Sequence, residues 1–169
     1  GDIALIAFDR PVTSLTPVTV ATSAQATGQA VILVGYGLSA LGSDPDGAIS
    51  DSRRRVSYNI LDFVGAATGL PPTQDGSSQD SSQVVVAIDF DAPGYPSTNS
   101  LGAALAVTGE GSVLPGDSGG PMFVTLADGQ LLQIGVLSGG YPPQGVDFEA
   151  AELPDGTTVV TYGDVDFWP

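Results

Sequence analysis

Short apolar runs alternate along this chain with polar segments rich in glycine, proline and serine. Continuous runs of aliphatic and β-branched residues predict strands over residues 29–36 and 83–90. Residues 121–126 and 131–137 predict a hairpin that turns across residues 127–129. No stretch has the 3.6-residue periodicity of an amphipathic helix, so the pattern favours an all-β protein.

Weaker patterns occupy the rest of the chain. The apolar run at residues 3–8 predicts a buried strand, and residues 53–63 predict another. Residues 157–162 are predicted to form the last clear strand. Residues 12–21, with their prolines, are predicted to form an extended crossover. Polar composition predicts loops at residues 38–52, 65–82 and 91–100. Residues 103–108 are predicted to be extended or to form a short strand.

Composition narrows the classes of protein to which the chain could belong. The chain has 169 residues, enough for one domain, and its 42% hydrophobic content argues against disorder. It has no cysteine, which excludes disulfides and thiolate metal sites. Its net charge of −15 argues against nucleic acid and anionic membrane as partners. The Asp44-Pro45-Asp46-Gly47 stretch has some likeness to a calcium loop but lacks the further ligands, so we interpret it as a turn and expect no metal or cofactor.

The candidate chemistry lies in Gly116-Asp117-Ser118-Gly119-Gly120-Pro121. Glycines on both sides of Ser118 permit unusual backbone dihedrals and close approach of a substrate. The N–H groups of Gly116 and Ser118 could then converge on a developing oxyanion. A Gly/Asp/Ser turn also occurs between strands in many β proteins. The six residues in this order resemble the nucleophile loop of trypsin/chymotrypsin-like serine peptidases. The absence of cysteine fits the bacterial members of this family better than the disulfide-rich animal trypsins.

The chain contains no histidine, although a serine nucleophile of this family needs one as its base. Asp2, with the three apolar residues after it, resembles the segment that holds the triad aspartate, although alone it would be an exposed acid. In the family the order is His, Asp, Ser, so the resemblance implies a histidine on an N-terminal segment of the same protein that this chain lacks. We therefore expect Asp2 and Ser118 to be triad members, and the chain alone to be inactive.

The resemblance implies a fold and a substrate-binding strand. Residues 1–20 would be the end of a first barrel and a crossover, and residues 21–169 a second, antiparallel six-stranded barrel. Ser138 would open the strand that pairs with an extended peptide, and Gly139 and Gly140 would keep the mouth of the pocket open. A plain turn is the alternative at these three residues. Asp117 would pair with an N-terminal ammonium in family members.

Side-chain specificity is the least determined expectation. By the resemblance, Ser112 lies at the base of the pocket, and with Val113 beside it the expected preference is for an apolar or small residue. Asp166 could instead supply a negative charge at the back of the pocket. A solvated position near the C-terminus is the interpretation we favour for it.

The resemblance thus implies a secreted or extracytoplasmic serine endopeptidase that acts on peptide or protein substrates by an acyl-enzyme mechanism. No nucleic acid, membrane or cofactor is expected to take part. The alternative is an inactive pseudopeptidase that keeps the fold as a protein- or peptide-binding module.

Overall fold

The computed structural model describes residues 4–73, 76–78, 83–102, 106–144, 150–152, 158–160 and 165–168. Within these ranges the protein is all-β, with no α-helix and two single 3₁₀ turns at Ala67–Gly69 and Pro96–Thr98. The strands in chain order are β1 Thr19–Val20, β2 Ala30–Gly35, β3 Ser39–Leu41, β4 Asp44–Ile49, β5 Arg55–Ile60, β6 Phe63–Ala66, β7 Val84–Asp89, β8 Pro121–Thr125, β9 Leu131–Val136, β10 Gly139–Tyr141, β11 Ala150–Glu152, β12 Thr158–Val160 and β13 Val165–Trp168.

The strands form two larger sheets and two small ones. The first sheet has the order β1-β9-β8-β2-β5, and the second has the order β10-β13-β7-β6. The pairs β3–β4 and β11–β12 are separate. Pairing is antiparallel except between β1 and β9. In the part of the chain that the structure describes, none of these sheets closes on itself.

The chain passes directly from the first sheet to the second at Leu61 and Asp62, which join β5 to β6. The Leu61 N–H still donates to the carbonyl oxygen of Gln29, next to β2 (2.8 Å). The Asp62 N–H already donates to the carbonyl oxygen of Ala87 in β7 (3.0 Å). One nearly continuous strand therefore pairs in both sheets, and it passes from one to the other at this β5–β6 bend.

A second bend, at Leu137 and Ser138, joins β9 to β10. The Leu137 N–H donates to the carbonyl oxygen of Gly120 before β8 (2.8 Å), and the Ser138 N–H donates to that of Phe167 in β13 (3.1 Å). The β9–β10 bend, like the β5–β6 bend, takes the chain from the first sheet to the second. It also places the start of β10 next to the nucleophile loop.

Two apolar clusters lie on opposite faces of β7. Val86 and Ile88 belong to the first cluster, whereas Val85 and Ala87 belong to the second. The other buried members of the first are Val31, Leu33, Leu61, Met122, Val124 and Leu137, and those of the second are Ala67, Leu70 and Val165. Burial of both faces explains why the sequence of β7 is continuously apolar rather than alternating.

The strongest sequence patterns are confirmed. Strands β2 and β7 lie within the predicted ranges 29–36 and 83–90, and β8 and β9 form the predicted hairpin. The range 53–63 contains a strand as predicted, but the β5–β6 bend divides it into two.

The prediction of a buried strand at residues 3–8 is wrong for the described residues 4–8. This segment has no strand, and Leu5, Ile6 and Phe8 are 99%, 79% and 71% exposed. An apolar strand is buried only where other strands cover it, and no described strand lies beside this segment. Residue 3 lies outside the described residues.

Three predictions for polar segments also need correction. The predicted loop 38–52 contains the hairpin β3–β4, and the supposed turn at Asp44 to Gly47 lies inside β4. Within the predicted loop 65–82, Ala67 and Leu70 are buried in the second cluster, while residues 74–75 and 79–82 lie outside the described residues. Residues 158–160 do form β12, but β13 follows it. The β3–β4 hairpin escaped prediction because its residues are largely polar, whereas β13 pairs with strands β7 and β10 from distant parts of the chain.

Candidate active site

The nucleophile loop is a tight turn immediately before β8. The Asp117 N–H donates to the carbonyl oxygen of Leu114 (3.0 Å), and the Gly120 N–H donates to that of Asp117 (2.8 Å). Gly116 has a φ of +97°, which an L side chain rarely adopts. The turn leaves Ser118 exposed at its tip.

The two N–H groups predicted to bind an oxyanion are those of Gly116 and Ser118. Neither donates to another group among the described residues, whereas the N–H groups of Asp117, Gly119 and Gly120 all do. These two donors flank Asp117 on an exposed turn. They are therefore available to a ligand that approaches Ser118.

Asp117 fastens the loop to the end of β2. Its Oδ1 accepts the N–H of Gly37 (2.7 Å), and its Oδ2 accepts the N–H of Leu114 (3.0 Å). A Cβ on Gly35 would lie 1.8 Å from Oδ1 of Asp117, and one on Gly37 would lie 2.7 Å from its side-chain Cγ. The glycines around Tyr36 therefore make room for the carboxylate, which has two donors within the chain.

A larger cavity of about 360 Å³ lies on the other side of Asp117. The hairpin β3–β4, Glu110 and Arg55 also line it. The Arg55 guanidinium binds both oxygens of Asp51 (2.7 and 2.8 Å), which raises the pKa of Arg55, and the charge of Asp117 adds to this effect. The same guanidinium lowers the pKa of Asp51 to about 2.

A smaller cavity of about 170 Å³ opens beside Ser118. Val113, Leu114 and Pro115 line one part of it, and β10 with the following proline lines another. Asp166 of β13 also lines this cavity, opposite Gly140 in the register of β10 and β13. Glycine at positions 139 and 140 keeps that wall without side chains.

Asp166 is only 1% exposed, so its interpretation as a solvated residue near the C-terminus is wrong. Pairing of β13 with β7 on one side and β10 on the other buries it. Its Oδ2 accepts hydrogen bonds from the hydroxyl of Ser112 and from the N–H of Val113 (3.4 Å). Burial raises the pKa of Asp166 to about 7, although both hydrogen bonds act to lower it.

A separate group of three buried carboxyls and one half-buried carboxyl surrounds the β5–β6 bend, and sequence reasoning did not identify it. Asp62 Oδ2 accepts the N–H of Asp89 (3.4 Å), and Glu110 Oε1 accepts the N–H of Asp91 (2.7 Å). Burial raises the pKa of Asp62 to about 8 and that of Asp91 to about 7, and it also raises those of Asp89 and Glu110. The signal in the sequence was the position of Asp62, Asp89 and Asp91 at or just after the ends of apolar strands.

The structure brings most predicted site residues together. One cavity is lined by Ser118, Val113, Gly139 and Gly140. Ser112 donates a hydrogen bond to Asp166, which also lines this cavity. Gly116 lies in the nucleophile loop, and Ser138 lies in the β9–β10 bend. Asp2 lies outside the described residues, so its relation to Ser118 stays a prediction.

Two further properties concern the described residues alone. They contain no group of three or more acidic, histidine or cysteine residues placed to hold a metal ion. Their helical segments include none with the length and apolarity needed to span a membrane.

Comparisons with known proteins leave the family unassigned. No protein-family model matches the chain, and a search of curated proteins gives no significant match.

Proposed function

We propose that this chain is the part of a trypsin/chymotrypsin-like serine endopeptidase that carries the nucleophile, with Ser118 forming the acyl-enzyme. The observation that carries the proposal is the exposed Ser118 flanked by two uncommitted N–H donors at the mouth of a cavity. In this arrangement the Ser118 hydroxyl attacks a substrate carbonyl carbon. The N–H groups of Gly116 and Ser118 stabilise the oxygen that becomes negatively charged.

Substrate would bind as an added strand along β10. This strand pairs with β13 on one side and is the edge of its sheet in the described chain. An edge strand offers backbone donors and acceptors to an extended peptide. Because β10 leads away from the β9–β10 bend beside the nucleophile loop, a peptide bound there would pass Ser118.

The proposed fold is a closed six-stranded barrel, if each bent strand is counted once. The pairing runs from β2 to β5, through the β5–β6 bend to β7, and on to β13 and β10. From β10 the β9–β10 bend leads to β9, which pairs with β8, and β8 pairs with β2 again. This circuit supports the barrel that the resemblance implied.

The proton acceptor for Ser118 must come from elsewhere, because the chain has no histidine. We propose that a histidine-bearing N-terminal segment of the same protein supplies it, with Asp2 as the triad acid. The exposed apolar side chains of Leu5, Ile6 and Phe8 support this proposal. If another chain segment covered these side chains, their apolar surface would leave water and the free energy of the protein would fall.

Labelling with a fluorophosphonate tests the proposal. The isolated chain of 169 residues should react negligibly, whereas the longer protein with the histidine-bearing segment should be labelled at Ser118. Ser118→Ala should abolish labelling, and Ser43→Ala, at an exposed turn, should leave it unchanged. Full labelling of Ser118 in the isolated chain would refute the need for a histidine.

A peptide-binding module is the second candidate, and the lack of histidine within the chain is what favours it. The edge of β10 and the cavity could bind a peptide without cleaving it. If the longer protein resists labelling but binds extended peptides at β10, this candidate replaces the peptidase.

A further inference from the structure

We propose that a third cavity, beside the loop that follows β7, binds an alkylammonium group with the carboxyl of Asp91 as its counter-ion. This cavity has a volume of about 270 Å³, and the described residues that line it are 91–96 and Ala106. It shares no described lining residue with the cavity beside Ser118 or with the larger one. We call it the Asp91 cavity. The inference concerns binding alone and does not depend on the chemistry of Ser118.

The first argument is the state of the Asp91 carboxyl. Asp91 lines the cavity but is only 5% exposed. Its Oδ1 is buried without a hydrogen-bond partner, and no described residue donates a hydrogen bond to its side chain. A buried carboxylate without donors is costly, and a bound cation would remove that cost.

The second argument is the charge around Asp91. Burial raises the pKa of Asp91 to about 7, and the charges of Asp89 and Glu110 add to this effect. Both neighbours are acids, and Glu110 Oε1 also accepts the N–H of Asp91 (2.7 Å). The ion pairs among the described residues join arginines to Asp9 and Asp51, so none of them neutralises this group. A cation from outside the described chain would complement it.

The third argument is the chemistry of the cavity wall, which suits an alkylammonium better than a bare metal ion. Pro93 and Pro96 offer apolar contacts for methylene groups, and Tyr95 offers an aromatic ring that is 67% exposed. The face of such a ring attracts an ammonium group. A metal ion needs several ligands, and the described residues include no group of three acids placed to supply them.

The loop that forms the wall is held in place before a ligand arrives. The Thr98 hydroxyl accepts the N–H of Ala92 (2.8 Å) and donates to the carbonyl oxygen of Tyr95 (2.8 Å). The Tyr95 N–H donates to the carbonyl oxygen of Ala92 (3.0 Å). Because these bonds already order the loop, binding loses little further chain entropy.

Binding of n-butylamine to the 169-residue chain tests the inference. At about pH 8.5 this amine is a cation, and it should bind with chemical-shift changes at Ala92 and Gly94. The neutral n-butanol has the same length and should bind much more weakly. Asp91→Asn should weaken butylamine roughly tenfold to a hundredfold, the range for a lost charge-assisted hydrogen bond. Asp46→Asn makes the same charge change at an exposed strand position and should have little effect.

Two further readouts do not rely on the Asp91 variant. The affinity of the unchanged protein for butylamine should rise between about pH 5.5 and pH 8.5 as Asp91 loses its proton. Tyr95→Ala, at an exposed position, should weaken butylamine about twofold to fivefold through the lost ring contact. Affinity that depends on neither pH nor these side chains, with the fold intact by circular dichroism, would overturn the inference.

Two larger probes distinguish the sources of the ammonium group. Lysine blocked at both ends stands for a side chain of another protein, and spermidine stands for a free polyamine. Tighter binding of blocked lysine assigns the cavity to a protein side chain, and tighter binding of spermidine assigns it to a polyamine. If neither probe shifts the signals of Ala92 and Gly94, the inference is wrong. Fluorophosphonate labelling of Ser118 bears only on the proposed function, so the two can fail separately.

Discussion

A methyl group at Gly35 would lie 1.8 Å from Oδ1 of Asp117, a separation that no relaxed structure tolerates. We therefore expect Gly35→Ala to push Asp117 away from the Gly37 N–H and to lower the free energy of unfolding by about 1–3 kcal/mol, as overpacking does. Chemical denaturation measures the change. Gly139→Ala is the matched control, because its Cβ would meet only ring carbons of Phe167, at 3.6 and 3.8 Å. Equal effects at both glycines would contradict the proposed clash.

The sequence was enough to predict the turn that carries Ser118 but not the burial of Asp166. The loop around Ser118 is local, since its turn hydrogen bonds join residues three positions apart. The burial of Asp166 depends on pairing of β13 with β7 and β10, from other parts of the chain. Its own neighbours in sequence contain no sign of these partners. The role of Gly35 as space for Asp117 was hidden for the same reason.

The β5–β6 bend gathers Asp62, Asp89, Asp91 and Glu110, and this gives a prediction for the stability of the element. Burial raises the pKa of Asp62 to about 8 and that of Asp91 to about 7, far above the unfolded value of 3.8. Between the unfolded pKa of 3.8 and the folded pKa values of about 7 and about 8, the folded state binds more protons than the unfolded state. The contribution of these protonated carboxyls to the stability of the fold is fully present below pH 4 and is lost as the pH rises toward 8.

Thermal denaturation at pH 5 and pH 8 measures this effect. We expect the melting temperature to be lower at pH 8, by roughly 5 °C or more. Asp62→Asn should reduce the slope because it removes one of the groups that titrate, and Asp46→Asn should not. A melting temperature that increases across this interval would refute the assignment of raised pKa values at the bend.

Strands differed in how well the sequence predicted them, and burial explains the difference. Strand β7 is apolar on both faces and the β8–β9 hairpin has a clear turn, so both were found. The β3–β4 hairpin is largely polar, and Pro45 lies inside it, so composition indicated a loop. The β5–β6 bend was missed because a continuous strand pattern does not show where the chain changes its partner.

At the scale of the whole molecule, residues 4–18 contribute little to the packed core. All residues from 4 to 18 are exposed. Deletion of residues 1–18 should therefore change the melting temperature by no more than about 2 °C. Met122→Ala should lower the free energy of unfolding by about 2–5 kcal/mol, since this side chain is fully buried. A deletion as damaging as Met122→Ala would show that the segment packs against the sheets.

The pairing of β2 with β8 also determines how this protein reaches its native state. Val31 pairs with Val124, and Val165 of β13 pairs with Asp89, so the sheets form only after distant parts of the chain meet. The loss of chain entropy comes before most of the compensating contacts. Proteins dominated by such non-local pairing refold in milliseconds to seconds, far more slowly than helical bundles. During that interval the apolar strand β7 has both faces exposed, so dilute refolding conditions should be needed to avoid aggregation.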